Sequence, residues 1–329
     1  MKHRQVTQQP RRRRVAPVWA LASAFLALPA LAPRADALVV TTGGGSPTSA
    51  NSTNNIAPTS GTLSHGDPGF NNVGTFTEGS SSLAQCLGSG VYLGNGVVLT
   101  VGHLWDAGTG DPNLNTFNVD GGSYAMVAGS EPYLIDDSGG RYTGLAIVTL
   151  ATSPNVPALT LPTTVAKQGT VAMIAFGNAA TGAYQSGISG FAVGSPISTG
   201  ELWGANPVTS GSSSDADYSN YVAGNDGTLA WMFSTAFTSS RTNSAQVEFG
   251  DSGGAVFYYS GGQWLLQGII YGQSTPKDGG YAVDGDTSYM IDLGDYHTVI
   301  ENAIAATPEP ASLLLLVAGG CALLGRRRR

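Results

Sequence analysis

From Phe70 onward, short apolar runs alternate with clusters of Gly, Asn, Asp and Ser. Short apolar, β-branched runs bounded by turn formers predict strands. Val91-Tyr92-Leu93, the turn Gly94-Asn95-Gly96 and Val97 to Thr100 predict a hairpin. Ala255 to Tyr259, the turn Gly261-Gly262 and Trp264 to Tyr271 predict another, and Val171 to Phe176 a further strand. Helical spacing emerges only near the end. Val299, Ile300, Ala303 and Ile304 share one face, with Asp295 as the expected cap and Pro308 as the stop. With 46 glycines and many short strands, the pattern reads as an all-β fold with long loops. There is no internal repeat.

The two ends differ from this pattern. Four arginines at 11–14 precede an apolar stretch, Val18 to Leu31, that ends in Ala35-Asp36-Ala37. A basic start, an apolar middle and a small-x-small site describe a secretory signal peptide over residues 1–37, cut after Ala37; a short membrane anchor is the alternative. Residues 38–65 are expected to be a flexible leader, because 41–65 are rich in Gly, Ser, Thr, Asn and Pro. A folded domain is expected over 66–306. At the other end stand Thr307-Pro308-Glu309-Pro310, an apolar run from Ala311 to Gly325, and Arg326 to Arg329.

Charge and cysteine usage narrow the classes. Residues 38–306 carry four Lys and Arg (Arg141, Lys167, Arg241, Lys277) against 20 Asp and Glu, a net charge of −16. Such a surface repels nucleic acid and anionic membranes. Cys321 lies in the tail, so Cys86 is alone in the domain and no internal disulfide is expected; Cys86 reads as a small buried residue. Asp215 to Ser219, with Asp226, loosely matches a calcium loop but lacks its sixth-position glycine and final glutamate, and reads as a solvated acidic loop. No phosphate loop or zinc motif is present, so neither cofactor nor metal is expected. His65 and His297 have no ligand partners at useful spacing and read as surface residues.

The chemistry lies in two segments. Gly250-Asp251-Ser252-Gly253-Gly254 surrounds a serine with glycines, which let the chain turn sharply and present Oγ and nearby N–H groups. Val97 to Val101, an apolar run, leads through Gly102 to His103. A serine needs a base within hydrogen-bond reach, and His103 is the candidate.

These segments resemble the chymotrypsin-like (trypsin-family) serine peptidases, which carry Leu-Thr-Ala-Ala-His and Gly-Asp-Ser-Gly-Gly where this chain has Leu99-Thr100-Val101-Gly102-His103 and Gly250 to Gly254. Leu145 to Leu150, Gln267 to Gly272, and Ser288 to Ile291 followed by the helix echo later strands of that family in the same order. The resemblance implies two six-stranded antiparallel β-barrels with a C-terminal helix and a cleft between them. It implies Ser252 as nucleophile, His103 as base, and the N–H groups of Gly250 and Ser252 as the oxyanion hole. It also implies a polypeptide substrate. A monomer is expected. The tail resembles the PEP-CTERM sorting signal of some Gram-negative bacteria. That implies an exosortase-type processing enzyme as partner, transient tethering to the inner membrane over 307–329, and then a cell-surface or extracellular fate.

One element of the resemblance fails. Where the family has an aspartate that orients the histidine, this chain has Gly144. Losing that carboxylate costs about 10⁴ in kcat in a worked triad. Two substitutes are visible. Tyr271 stands where the family has a serine contacting the aspartate, and its hydroxyl could reach His103 Nδ1; a core tyrosine is the other reading. Asp137, beside Asp136, could fold back from its Gly-rich loop; a solvated turn is the other reading. Gln246, six before the serine, is either a polar pocket base or a solvated loop residue, so no preference for Lys or Arg is implied; Glu248 is expected at the rim. Asp251 has no Ile-Val-Gly-Gly-like start to pair with, and Leu38-Val39-Val40 runs into the leader, so either a local partner for it or a pre-formed site is expected. The expectation is an exported serine endopeptidase working through a His-Ser dyad or an atypical triad. The alternatives are a weak or inactive homologue acting as a surface or matrix binding protein, and an esterase or acyl transferase using the same dyad.

Overall fold

The structure is a computed structural model. It describes residues 38–42, 65–78, 88–105, 113–128, 130, 132–165, 169–176, 190–192, 201–210, 230–248, 250–273 and 281–306. The signal-like and tail segments, both cysteines and the acidic loop at Asp215 lie outside them. Among the described residues no helix is long and apolar enough to cross a membrane.

Strand β1 (Val39–Thr42) comes first. The first half of the fold contains β2 (Val73–Thr77), β3 (Ser89–Gly94), β4 (Val97–Val101), β5 (Thr116–Val119), β6 (Gly122–Ala125), β7 (Tyr133–Asp136) and β8 (Tyr142–Thr149). The second contains β9 (Thr170–Phe176), β10 (Gly190–Ala192), β11 (Glu201–Ser210), β12 (Met232–Ala236), β13 (Thr242–Gln246), β14 (Ala255–Ser260), β15 (Gln263–Gln273), β16 (Tyr281–Val283) and β17 (Thr287–Asp292). Helix α1 (Leu293–Ala306) ends it.

Six strands of the second half close into a barrel in the order β11-β12-β17-β15-β14-β9. The first half forms a seven-stranded antiparallel sheet, β6-β5-β2-β3-β4-β8-β7. Its ends curl together where Met126, just past β6, bridges Leu150, just past β8. Bonds from Val127 N–H to Thr149 O (2.9 Å) and from Ala151 N–H to Ala125 O (2.8 Å) hold that seam. Six strands thus make the expected first barrel, and β7 is an added strand on the free edge of β8.

Local physics explains the expected hairpins. In β3–β4 the register runs Tyr92↔Val98 to Gly94↔Val97, and Asn95 and Gly96 both have positive φ (52° and 80°), as a two-residue primed turn requires. Both strands are buried throughout, so their apolar runs are continuous rather than alternating. One apolar core cluster joins Val91, Leu99, Phe76 and Ile147 of the first barrel to Ile174, Phe257, Ile269 and Tyr271 of the second. The two halves therefore share one core.

Two expectations change. Residues 38–42, assigned by composition to the leader, belong to the fold: Leu38 and Val40 are buried with Met173, Phe233 and Ile270, and β1 pairs antiparallel with β13 (Val39↔Gln246, Val40↔Ala245). Apolar burial outweighs the polar composition that follows. Helix α1 starts two residues before the expected cap. Asp292 Oδ1 accepts the Gly294 N–H at 3.1 Å, while Asp295 lies in the first turn. Leu293, Tyr296, Ile300 and Ala303 form the buried face. The Tyr296 hydroxyl accepts the Trp231 N–H at 2.7 Å, and burial pushes its ionisation far up.

Candidate active site

The serine loop is pinned from both barrels. Gly253 N–H donates to Ile270 O (2.9 Å), Ile270 N–H returns to Gly254 O (2.8 Å), and Gly254 N–H closes the turn on Asp251 O (2.8 Å). Across the cleft, Ser89 N–H donates to the carbonyl of Ser252 at 2.7 Å. A Cβ on Gly253, which has φ +85°, would collide with Ser89 O and Thr100 Oγ1. The glycine is thus required both by conformation and by close approach. Thr100 Oγ1 itself donates to Ser89 O at 2.7 Å. Ser89 Oγ accepts Phe176 N–H of β9 at 3.0 Å. Ser89, fully buried, therefore ties β3, β4, β9 and the serine loop together. No signal in its neighbourhood distinguishes it by sequence, because its role depends on partners remote along the chain.

Thr100 also places the histidine. It stands in β4, three residues before His103, and β4 leads into a short 3₁₀ turn, Gly102–Trp105. Leu104 is buried and anchors this turn, leaving His103 half-buried with Nδ1 inside. The Ser252 and His103 segments are thus packed on the same two strands. Gly250 is half-buried with φ +97° in the turn before the serine.

Position 144 has a specific geometry. The β4–β8 ladder ends at Val101↔Leu145, so Gly144 is the next residue, level with Gly102 and hence beside the histidine turn. Its φ is +82°. Close by, a Cβ on Gly102 would collide with the Tyr142 hydroxyl.

The two proposed orienters fare differently. Tyr271, 1% exposed, packs edge-on against the His103 ring, with centroids 5.3 Å apart and planes at 80°. A bulge aims it there. The β15–β17 register passes from Ile270↔Met290 to Gly272↔Tyr289, making Tyr271 the extra residue. Asp137 is occupied by its own turn between β7 and β8. Its Oδ1 accepts Gly139 N–H (2.8 Å) and Arg141 N–H (2.9 Å), and its Oδ2 accepts Arg141 Nε (2.7 Å). The backbone bond from Arg141, aided by that guanidinium, holds the carboxyl below its usual range. Asp136 is exposed and pairs across the hairpin with Tyr142.

On the second-barrel side, Gln246 is neither a solvated loop residue nor an open pocket base. It is 0% exposed, and its Nε2 donates to Gln273 Oε1 (2.7 Å) and Val247 O (3.2 Å). Gln273 Nε2 donates in turn to Glu248 Oε2 at 3.0 Å. Glu248, expected at the rim, is 5% exposed. The backbone N–H of Glu248 donates to Asp251 Oδ2 at 2.7 Å, which is the local partner expected for Asp251. Of the histidines read as surface, His65 is exposed and stacks on Tyr259 (3.7 Å, 3°), while His297 is half-buried. No group of metal-ligating side chains assembles among the described residues.

No family model matches this chain, and no curated protein matches it. Among solved structures it is similar to neuropsin, a serine protease expressed in the limbic system of mouse brain. The identity is 14% and the TM-score 0.49, over 72% of this chain and 96% of that one. The chemistry is accordingly read from this chain's own residues.

Proposed function

We propose that this protein is an exported serine endopeptidase. The observation that carries the reading is the docking of the serine loop, through Ser89 and Thr100, on β3 and on β4, the strand that leads into the His103 turn. Ser252 Oγ attacks the peptide carbonyl and His103 Nε2 takes its proton, later passing it to the leaving amine. The N–H groups of Gly250 and Ser252 hold the oxyanion. Tyr271 limits the orientations of the imidazole in place of the absent carboxylate. The buried Gln246–Gln273–Glu248 chain would face the acyl half of the substrate, and it implies no preference for Lys or Arg there. A fluorophosphonate probe tests this reading. Labelling of wild type, lost in Ser252→Ala and in His103→Ala, is the expected result. An unlabelled wild type overturns it.

A second reading is favoured by Gly144. With glycine where the family has its orienting aspartate, the chain would be a surface or matrix binding protein that keeps the fold. The same probe separates the two.

Processing completes the proposal. Cleavage after Ala37 would make Leu38, already buried, the first residue. Antiparallel pairing of β1 with β13 runs its amino end toward Val247 and Glu248, and so toward the buried Asp251. An exosortase-type enzyme would then remove the tail after Pro308-Glu309-Pro310. Intact mass of protein from its native cell checks both ends: a chain starting at Leu38 and lacking Arg326 to Arg329 is expected.

A further inference from the structure

We infer that the Tyr142 hydroxyl is a positioning group for His103, seating the backbone of the turn that carries the base; this rests on the serine-peptidase reading. Where the resembled family has alanine before its histidine, this chain has Gly102. Gly102 is buried, and a Cβ on it would collide with the Tyr142 hydroxyl and come within 3.1 Å of Tyr142 Cζ. Its backbone is not in the left-handed region, so contact alone, and not conformation, bars a larger residue. The hydroxyl thus occupies the place of an alanine methyl, directly against the residue before His103. The same Cβ would meet Leu134 Cδ2 at 2.7 Å, but Leu134 is 50% exposed and its tip has room to turn away. The hydroxyl ends a rigid ring and has no such freedom.

Two bonded strands hold the tyrosine in place. Tyr142 opens β8 and stands opposite Asp136 of β7 in the antiparallel register. Thr143, the next residue, is fully buried; its Oγ1 donates to Ile135 O of β7 at 2.7 Å and accepts Leu145 N–H at 3.2 Å. These bonds fix the backbone on both sides of Gly144, and with it the root of the Tyr142 ring. The contact with Gly102 is one of shape: the hydroxyl acts by filling the Cβ position, whichever polar group it bonds. His103 follows Gly102 directly in the short turn Gly102–Trp105, so a displacement at Gly102 is carried to the imidazole. Leu104 anchors the turn from within and Tyr271 meets the ring edge; the Tyr142 hydroxyl sets a third point, the backbone before the ring. A small misplacement of a base costs rate steeply, because proton transfer requires hydrogen-bond reach.

Exchanging the two groups tests this. The full-length mature protein is treated with a fluorophosphonate: Ser252 Oγ bonds to phosphorus, fluoride leaves and His103 takes the hydroxyl proton. The rate constant kinact therefore reports the setting of the base, and the binding constant KI does not. Tyr142→Phe leaves the Cβ position empty and should lower kinact by roughly two- to ten-fold with KI unchanged. Gly102→Ala sets a methyl against the hydroxyl and should lower kinact by roughly ten-fold or more. The two together replace hydroxyl by methyl and should return kinact to within about two-fold of wild type. A methyl at 102 is then harmful beside the hydroxyl and restorative without it. Because kinact is read on folded protein, a change in stability alone does not move it. Comparison of Tyr142→Phe with the double variant decides even where Gly102→Ala alone does not fold. Wild-type kinact in Tyr142→Phe, or a double variant no faster than Tyr142→Phe, overturns the positioning role alone. A wild type that the probe does not label overturns the peptidase reading and this one with it.

Discussion

The two sides of the candidate site are held by different forces. The serine loop is held by backbone hydrogen bonds to both barrels and by a glycine with no room for a Cβ. The histidine turn is held by packing: a buried leucine beneath it and a tyrosine ring against its edge. Directional bonds to rigid strands fix a nucleophile and its oxyanion donors to small tolerances. Packing fixes the position of a ring well and its tautomer less well. The contrast teaches that glycine at position 144 brings no side chain to the turn that carries His103, while the serine loop is set by bonds that do not involve that position.

The strongest way to break the comparison is Gly253→Ala. The added methyl meets Ser89 O and Thr100 Oγ1 at φ +85°. A loss of roughly 3 kcal/mol in stability is expected from combined backbone strain and overpacking, together with loss of fluorophosphonate labelling. Chemical denaturation and probe labelling measure the two.

Tyr271 comes next. Tyr271→Ala opens a buried cavity and should cost about 3–5 kcal/mol, read by denaturant midpoint. Tyr271→Phe keeps the packing. If the hydroxyl orients the base, kcat falls with little change in KM, the mark of an interaction made in the transition state. Unchanged turnover in Tyr271→Phe assigns the positioning to the ring alone.

Gly144→Asp sharpens the contrast from the other direction. A side chain at φ +82° costs about 1 kcal/mol, since Asp tolerates this region better than most. The expected outcome is a lower denaturation midpoint with a higher kcat, measured on the same preparation.

The smallest effect belongs to Asp137→Asn. Its ion pair with Arg141 sits in an exposed turn, so less than about 1 kcal/mol is at stake and kcat should not change. The folded carboxyl ionises below its ordinary range, so its stabilisation is present at neutral pH and is lost as pH falls through the folded value. The difference in Tm between wild type and Asp137→Asn should therefore shrink at acid pH.

What the chain declared by itself was local. Asn95-Gly96 demanded a primed turn, continuous apolar runs demanded buried strands, and glycines around Ser252 demanded a sharp turn; each depends on residues a few positions apart. The position of Gly144 beside the histidine was legible only as what the resemblance of the Leu145–Leu150 strand implied. Tertiary structure decided the rest. Ser89 meets the serine loop 163 positions away, β1 meets β13 some 200 positions away, and Gln246 is closed off by Gln273. Whether Glu248 sits at a rim or in a core depends on what covers it, and whether Tyr271 faces the histidine depends on a register shift against β17. Composition carries no record of these pairings, because they arise from which surfaces exclude water together once the barrels close.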